Sequence, residues 1–207
     1  MTALELLAER HVNDKYRLYG HNYIPGYKTL FDEIRPSIAT MIEIGIGGAS
    51  HQESMRRKFP AYKSGNSLRM WRDYFDNATI HGVDIDTAAM IRDEPRIVTH
   101  LCDQSSVSDL NALMSTIGKP PQIIIDDGCH FLEPQVISFM TLEKYLPKGG
   151  IYVIEDILSP NIENFRTLAV FPADFQQYIR DNYDIKWFDT RVDTGLTNDI
   201  LMAFIRR

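Results

Sequence analysis

The chain of 207 residues carries 22 Lys and Arg against 28 Asp and Glu, a formal net charge of −6, with 44% hydrophobic and 24% charged residues. That composition fits one packed domain. It excludes wholesale disorder, and the length excludes two full domains. The acidic balance argues against a nucleic-acid partner, no apolar run approaches the ~20 residues that span a bilayer, and Glu5, Glu9 and Arg10 break any signal-peptide profile, so the expectation is a cytoplasmic protein with no membrane partner.

In chain order, Leu4, Leu6 and Leu7 among charges predict a short amphipathic helix. His21 to Tyr27 is aromatic and turn-rich, and a helix with Leu30, Phe31 and Ile34 on one face follows, stopping before Pro36. From residue 40 strands and helices alternate. Strands are expected at Thr40–Ile44, Thr79–Asp84, Arg96–Leu101, Ile123–Ile125 and Ile151–Ile154. Helices are expected around Leu68, Trp71 and Phe75, around Leu110, Leu113 and Ile117, and after Pro134. A long helical stretch to about Asn182 precedes two last strands, Ile185–Asp189 and Asp199–Ile205. The alternation predicts an α/β fold with a mostly parallel sheet, helices on both faces and a C-terminal antiparallel hairpin. The division is a single domain, 1–207, with a helical cap over 1–39 and a Rossmann-like core over 40–207. Between Gly48 and Asn66 the charged stretch Ala49–Gly65 lacks periodicity and reads as an exposed loop or lid.

Ligands in such sheets bind beyond the carboxyl ends of the strands. Glu43-Ile44-Gly45-Ile46-Gly47-Gly48 ends the first strand, and its glycines let the backbone turn sharply and approach a ligand. A dinucleotide fingerprint would need a third glycine where Ser50 stands. An acid two residues before Gly45 suits S-adenosylmethionine better, since Glu43 can meet a cationic amino group. Asp84 at the second strand end can accept from ribose hydroxyls, and Asp103 with Gln104 at the third can meet an adenine edge; as turn-builders, Asp86 and Asp103 also suit helix caps. Asp126-Asp127-Gly128-Cys129-His130 follows the fourth strand and Glu155-Asp156 the fifth. If those strands are neighbours, ~4.8 Å apart, four carboxylates and an imidazole converge. Such a cluster needs a cation or protons, and hard oxygen ligands select Mg²⁺, Mn²⁺ or Ca²⁺ over zinc.

On these stretches, with Ser67 to Phe75, Gly82 to Asp86, Asn13-Asp14-Lys15 and His21-x-Tyr23, the chain resembles the metal-dependent sugar O-methyltransferases of macrolide pathways. Cys129 stands where that pattern usually has serine. The resemblance implies a seven-stranded Rossmann-like class I methyltransferase fold, a small-molecule or glycan acceptor, S-adenosylmethionine as cofactor, and Mg²⁺ (or Mn²⁺) held by Asp127, Glu155 and Asp156. It implies His130 as general base, with Asp126 on the cofactor side or supporting the loop, and leaves homo-oligomerisation open. A sugar hydroxyl is almost wholly protonated at pH 7, so a divalent cation to lower its pKa and an imidazole to take its proton are the chemistry such a site needs. Alternatives are a catechol-like acceptor, favoured by an apolar pocket, and a non-catalytic nucleotide-binding subunit.

Overall fold

The computed structural model describes residues 1–207. Helix α1 (Ala3–Arg10) opens on a capping box in which the Thr2 hydroxyl accepts from the Glu5 amide and the Glu5 carboxylate accepts from the Thr2 amide. Helix α2 (Ile24–Phe31) begins inside the stretch read as a turn. Pro25 sits in its first turn, where a missing N–H costs no hydrogen bond. After β1 (Thr40–Ile44) the supposed loop is helix α3 (Ala49–Lys58), followed by α4 (Asn66–Tyr74). Then come β2 (Thr79–Asp84), β3 (Ile97–Leu101), α5 (Val107–Ile117), β4 (Ile123–Asp126), α6 (Leu132–Leu142) and β5 (Ile151–Ile154). The expected long helix is two, α7 (Ile162–Arg166) and α8 (Ala173–Asn182), broken where Leu168 takes φ +66° and Pro172 intervenes. Strand β6 (Tyr183–Asp189), a short helix α9 (Arg191–Thr194) and β7 (Ile200–Arg206) finish the chain.

The seven strands form one sheet in the order β3-β2-β1-β4-β5-β7-β6. The first five are parallel, and β7 runs antiparallel to both β5 and β6. The expected fold class is therefore observed. Side chains alternate across the sheet, so neighbours in one strand feed separate cores. Met41, Ile80, Ile123, Ile125 and Val153 pack with Tyr27 and Phe31 of α2, Trp71 of α4 and Phe75 just after it. Ile42, Ile44, Ile124, Ile154 and Phe204 pack with Leu110, Phe139 and Ile179 from α5, α6 and α8. Residues of the first 39 thus share a core with the sheet, fastened by edge-on contacts of Tyr27 and Phe31 with Trp71. The strand order reverses between β1 and β4, which opens a crevice at their carboxyl ends. No helix is long and apolar enough to cross a membrane.

Away from that crevice, His81 Nδ1 lies 3.0 Å from His100 Nε2 across β2 and β3. Burial, then His100 and Lys119, hold the His81 pKa down at about 4. A histidine depressed on folding from ~6.5 stabilises fully above that pH, and the contribution drains away as the pH falls towards 4. Because the ring keeps some contact with water, the expected loss is about 1–2 kcal/mol. Urea unfolding at pH 7 and 4.5 should show a smaller loss for His81→Gln than for the wild type; equal losses would remove His81 as an acid-sensitive element.

Candidate active site

The crevice is a cavity of about 650 Å³. One end is built by the turn after β1. Gly45 and Gly47 adopt φ +80° and +88°, in the left-handed region where side chains are disfavoured. The turn is fixed from β2: the Ile46 amide donates to Asp84 Oδ2 at 3.0 Å and the Asp86 amide to Asp84 Oδ1 at 2.9 Å. Asp86 in turn accepts from Ala49 N at 2.7 Å and Ala88 N at 2.9 Å, tying the start of α3 to the end of β2. Asp103 accepts from Ser105 N at 2.8 Å, while Ser106 is the residue that caps α5. Gln104 uses both ends of its amide, donating to Asp126 Oδ1 at 2.7 Å and accepting from Cys129 N at 2.6 Å.

At the other end β4 and β5 are neighbours, with Asp126 opposite Ile154. The loops beyond them bring one ligand atom each of Asp127, His130 and Asp156 within 4.8 Å of one another. His130 Nε2 is 3.5 Å from Asp156 Oδ2, and His130 Nδ1 is buried without a partner. Asp156 itself has φ +54°, an uncommon state for a side chain that the surroundings must hold in place.

Those surroundings come from the N-terminal segment. Tyr23 donates to Asp156 Oδ1 at 2.5 Å and Tyr27 donates to Glu155 Oε1. His21 Nδ1 lies 3.3 Å from Asp156 Oδ1 and 3.2 Å from Asp199 Oδ1. Lys15 Nζ is 2.5 Å from Asp127 Oδ2, 3.0 Å from Glu155 Oε2 and 3.3 Å from Glu43 Oε1. Burial disfavours the Lys15 ammonium, but Asp127, Glu155 and Glu43 outweigh it and raise its pKa well above the usual lysine value. Burial opposes the Asp127 carboxylate too, yet Lys15 and His130 keep its pKa below the usual value. Burial and the Asp127 charge push Glu155 up, and burial pushes Asp156 up.

The residues singled out from sequence thus fall at two depths. Gly45, Gly47, Asp84, Asp103, Gln104, Asp127, His130, Glu155 and Asp156 all line the cavity. Glu43 and Asp126 are completely buried. Glu43 lies beneath Lys15, accepting from Ser67 Oγ at 2.7 Å and Trp71 Nε1 at 3.2 Å. Asp126 accepts from Gln104, Ser138, Tyr152 and the Gly128 amide, and burial lifts its pKa to about 6. Glu155 stands outside the Asp127–His130–Asp156 group, its carboxylate taken up by Lys15 and Tyr27. Sequence reasoning had not assigned roles to Lys15, His21, Tyr23 and Tyr27; the excess of acid at two strand tips was the one signal that a cation had to be supplied.

The strand order, with its antiparallel last strand and the crevice between β1 and β4, is the Rossmann-like fold of class I methyltransferases. A methyltransferase from the mycinamycin pathway, MycE, solved in complex with Mg and SAH, superposes with a TM-score of 0.73 at 25% identity, over 100% of this chain and 55% of that one. The resemblance to sugar O-methyltransferases is borne out by curated relatives. The chain is 39% identical over 151 residues to 8-demethyl-8-alpha-L-rhamnosyl tetracenomycin-C 2'-O-methyltransferase of Streptomyces olivaceus, a stretch that is 73% of this chain and 36% of that protein. It is 36% identical over 154 residues to demethylmacrocin O-methyltransferase of Streptomyces fradiae, 74% of this chain and 36% of that protein. The matched region is therefore little more than a third of the curated relatives' length. No protein-family profile matches the chain.

Proposed function

We propose that the protein transfers a methyl group from S-adenosylmethionine to a hydroxyl of a sugar on a glycosylated small molecule or glycan, with Mg²⁺ or Mn²⁺ in the acidic cluster. The observation that carries this reading is one cavity with a glycine turn at one end and the Asp127–His130–Asp156 group at the other. Both groups fit the residues present. Gly45 and Gly47 let the backbone approach a ligand, and the carboxyl oxygens of Asp127 and Asp156 are donors for a hard divalent cation, with the His130 imidazole beside them free to act as a base. When bound, the cation supplies Lewis-acid activation of the acceptor hydroxyl and the cofactor supplies an electrophilic methyl.

The chain's own residues do the rest. Asp84 keeps unused lone pairs after its two backbone bonds and can accept from ribose hydroxyls. Asp103 and Gln104 would meet the base, with Asp126 holding Gln104 from beneath. Glu43 stays below the floor, its carboxylate taken up by Lys15, Ser67 and Trp71. Asp127 and Asp156 hold the cation, with Glu155 behind them. His130 accepts the hydroxyl proton at Nε2, and the imidazolium so formed faces the Asp156 carboxylate 3.5 Å away. From the N-terminal segment, Asn13, Asp14 and His21 line the cavity and would meet the acceptor.

Around the acidic cluster the cavity is lined by Asp14, His21, Asp127, His130, Glu155 and Asp156, which favours a polyhydroxylated acceptor over a catechol. The test is methyl transfer from labelled cofactor to a panel of rhamnosyl aglycones and catechols, with and without chelator. Transfer to the sugar, lost in chelator and restored by Mg²⁺, is expected. Transfer to catechols alone would change the acceptor. Tight cofactor binding with no transfer on any acceptor would support a binding subunit.

A further inference from the structure

Lysine is almost never fully buried unless paired, and Lys15 is 1% exposed. Its backbone is fixed within the N-terminal segment, the amide donating to Asn13 Oδ1 at 2.9 Å and the carbonyl accepting from Tyr23 N at 3.0 Å. Its ammonium reaches Asp127, Glu155 and Glu43 together. Neither cofactor binding nor proton removal uses it.

We propose that Lys15 is the built-in counter-cation of the acidic cluster, and that it competes with the divalent cation for Asp127 and so sets how weakly the cluster holds its metal. This rests on the divalent-cation reading above. An incoming dication must share Asp127 with an ammonium already 2.5 Å from Oδ2, and the two like charges repel in a buried site. The carboxylates do not need Lys15 to keep their places. The Asp127 amide donates to Ile44 O at 2.9 Å, the Glu155 amide to Asp126 O at 3.0 Å, and Tyr27 and Tyr23 donate to Glu155 and Asp156. Removing the ammonium therefore leaves a preformed, more negative pocket. Holding a cation loosely suits a site that must admit a chelating acceptor and release it after each turnover.

The test is direct Mn²⁺ titration, followed by loss of the free-ion paramagnetic resonance signal, on the wild type, Lys15→Met and Lys15→Arg. Lys15→Met should bind Mn²⁺ about tenfold more tightly or better, while Lys15→Arg, which keeps the charge, should stay within about threefold of the wild type. Without ion Lys15→Met should melt lower than the wild type, and Mn²⁺ should raise its melting temperature by more. Should Lys15→Met fail to fold, Lys15→Gln, which can still donate to a carboxylate but carries no charge, gives the same readout. Wild-type binding with no gain in the uncharged variants would overturn the competition. No Mn²⁺ binding by the wild type or by either uncharged variant would overturn the metal reading and this inference with it.

Discussion

His130→Ala is expected to slow methyl transfer by roughly 10²–10⁴-fold, the usual span for a lost general base, while leaving cofactor binding intact. The expectation rests on geometry: His130 groups with Asp127 and Asp156, whereas His21, also beside Asp156, has the same nitrogen 3.2 Å from Asp199. Mn²⁺ should still bind to the His130→Ala protein, because Asp127 and Asp156 remain. Its residual rate should climb with pH, since hydroxide can partly replace the missing base. Asp156→Ala should behave differently, losing Mn²⁺ affinity and transfer together. The two variants are separated by Mn²⁺ titration alongside single-turnover rates. Near-normal turnover of His130→Ala at pH 7, with methyl transfer shown to be the slow step, would remove His130 as the base.

The division between what was legible in the sequence and what was not follows physical lines. Buried parallel strands advertise themselves, because both faces must be apolar; Ile123–Ile125 and Ile151–Ile154 could hardly be anything else. Helix α3 does not. It buries only Gln52 and Met55 and ends in Arg56, Arg57 and Lys58, so it has no apolar stripe to read. Pro25 looked like a turn because proline breaks helices in their interior, whereas here it stands at the start. At the site, sequence placed the acids at strand ends but not their depth. Glu43 lies on a strand buried along its whole length, under a helix that supplies Trp71. The resemblance groups Glu155 with the metal acids, and its carboxylate is shared with a lysine 140 residues away along the chain. Nothing local to Asn13-Asp14-Lys15 announces that partnership, because pairing across such a separation exists only once α1, α2 and the sheet have packed.

That packing links the two ends of the cavity, and it makes the glycine turn sensitive in a position-dependent way. A β-carbon on Gly45 would run into the carbonyl of Asp127 and the α-carbon of Gly128, both backbone. A β-carbon on Gly47 would meet only the side chains of His51 at 3.0 Å and Tyr62 at 3.1 Å. Both glycines have positive φ, so alanine at either costs about 1–2 kcal/mol in backbone conformation alone. Gly47→Ala adds a contact that two side chains of α3 and its following loop can relieve, so weaker binding of the demethylated cofactor, about tenfold, with unchanged Mn²⁺ affinity is expected. Gly45→Ala has no such relief. The Asp127 backbone must move, and with it a ligand of the proposed metal and the partner of Lys15. Cofactor binding should fall about a hundredfold or more, and Mn²⁺ affinity should fall with it. Calorimetric titration of the demethylated cofactor and of Mn²⁺ on both variants checks the contrast. If Gly45→Ala lost cofactor affinity while holding Mn²⁺ as the wild type does, the two ends of the cavity would be mechanically independent, and the close approach of Gly45 to Asp127 would serve only the turn itself.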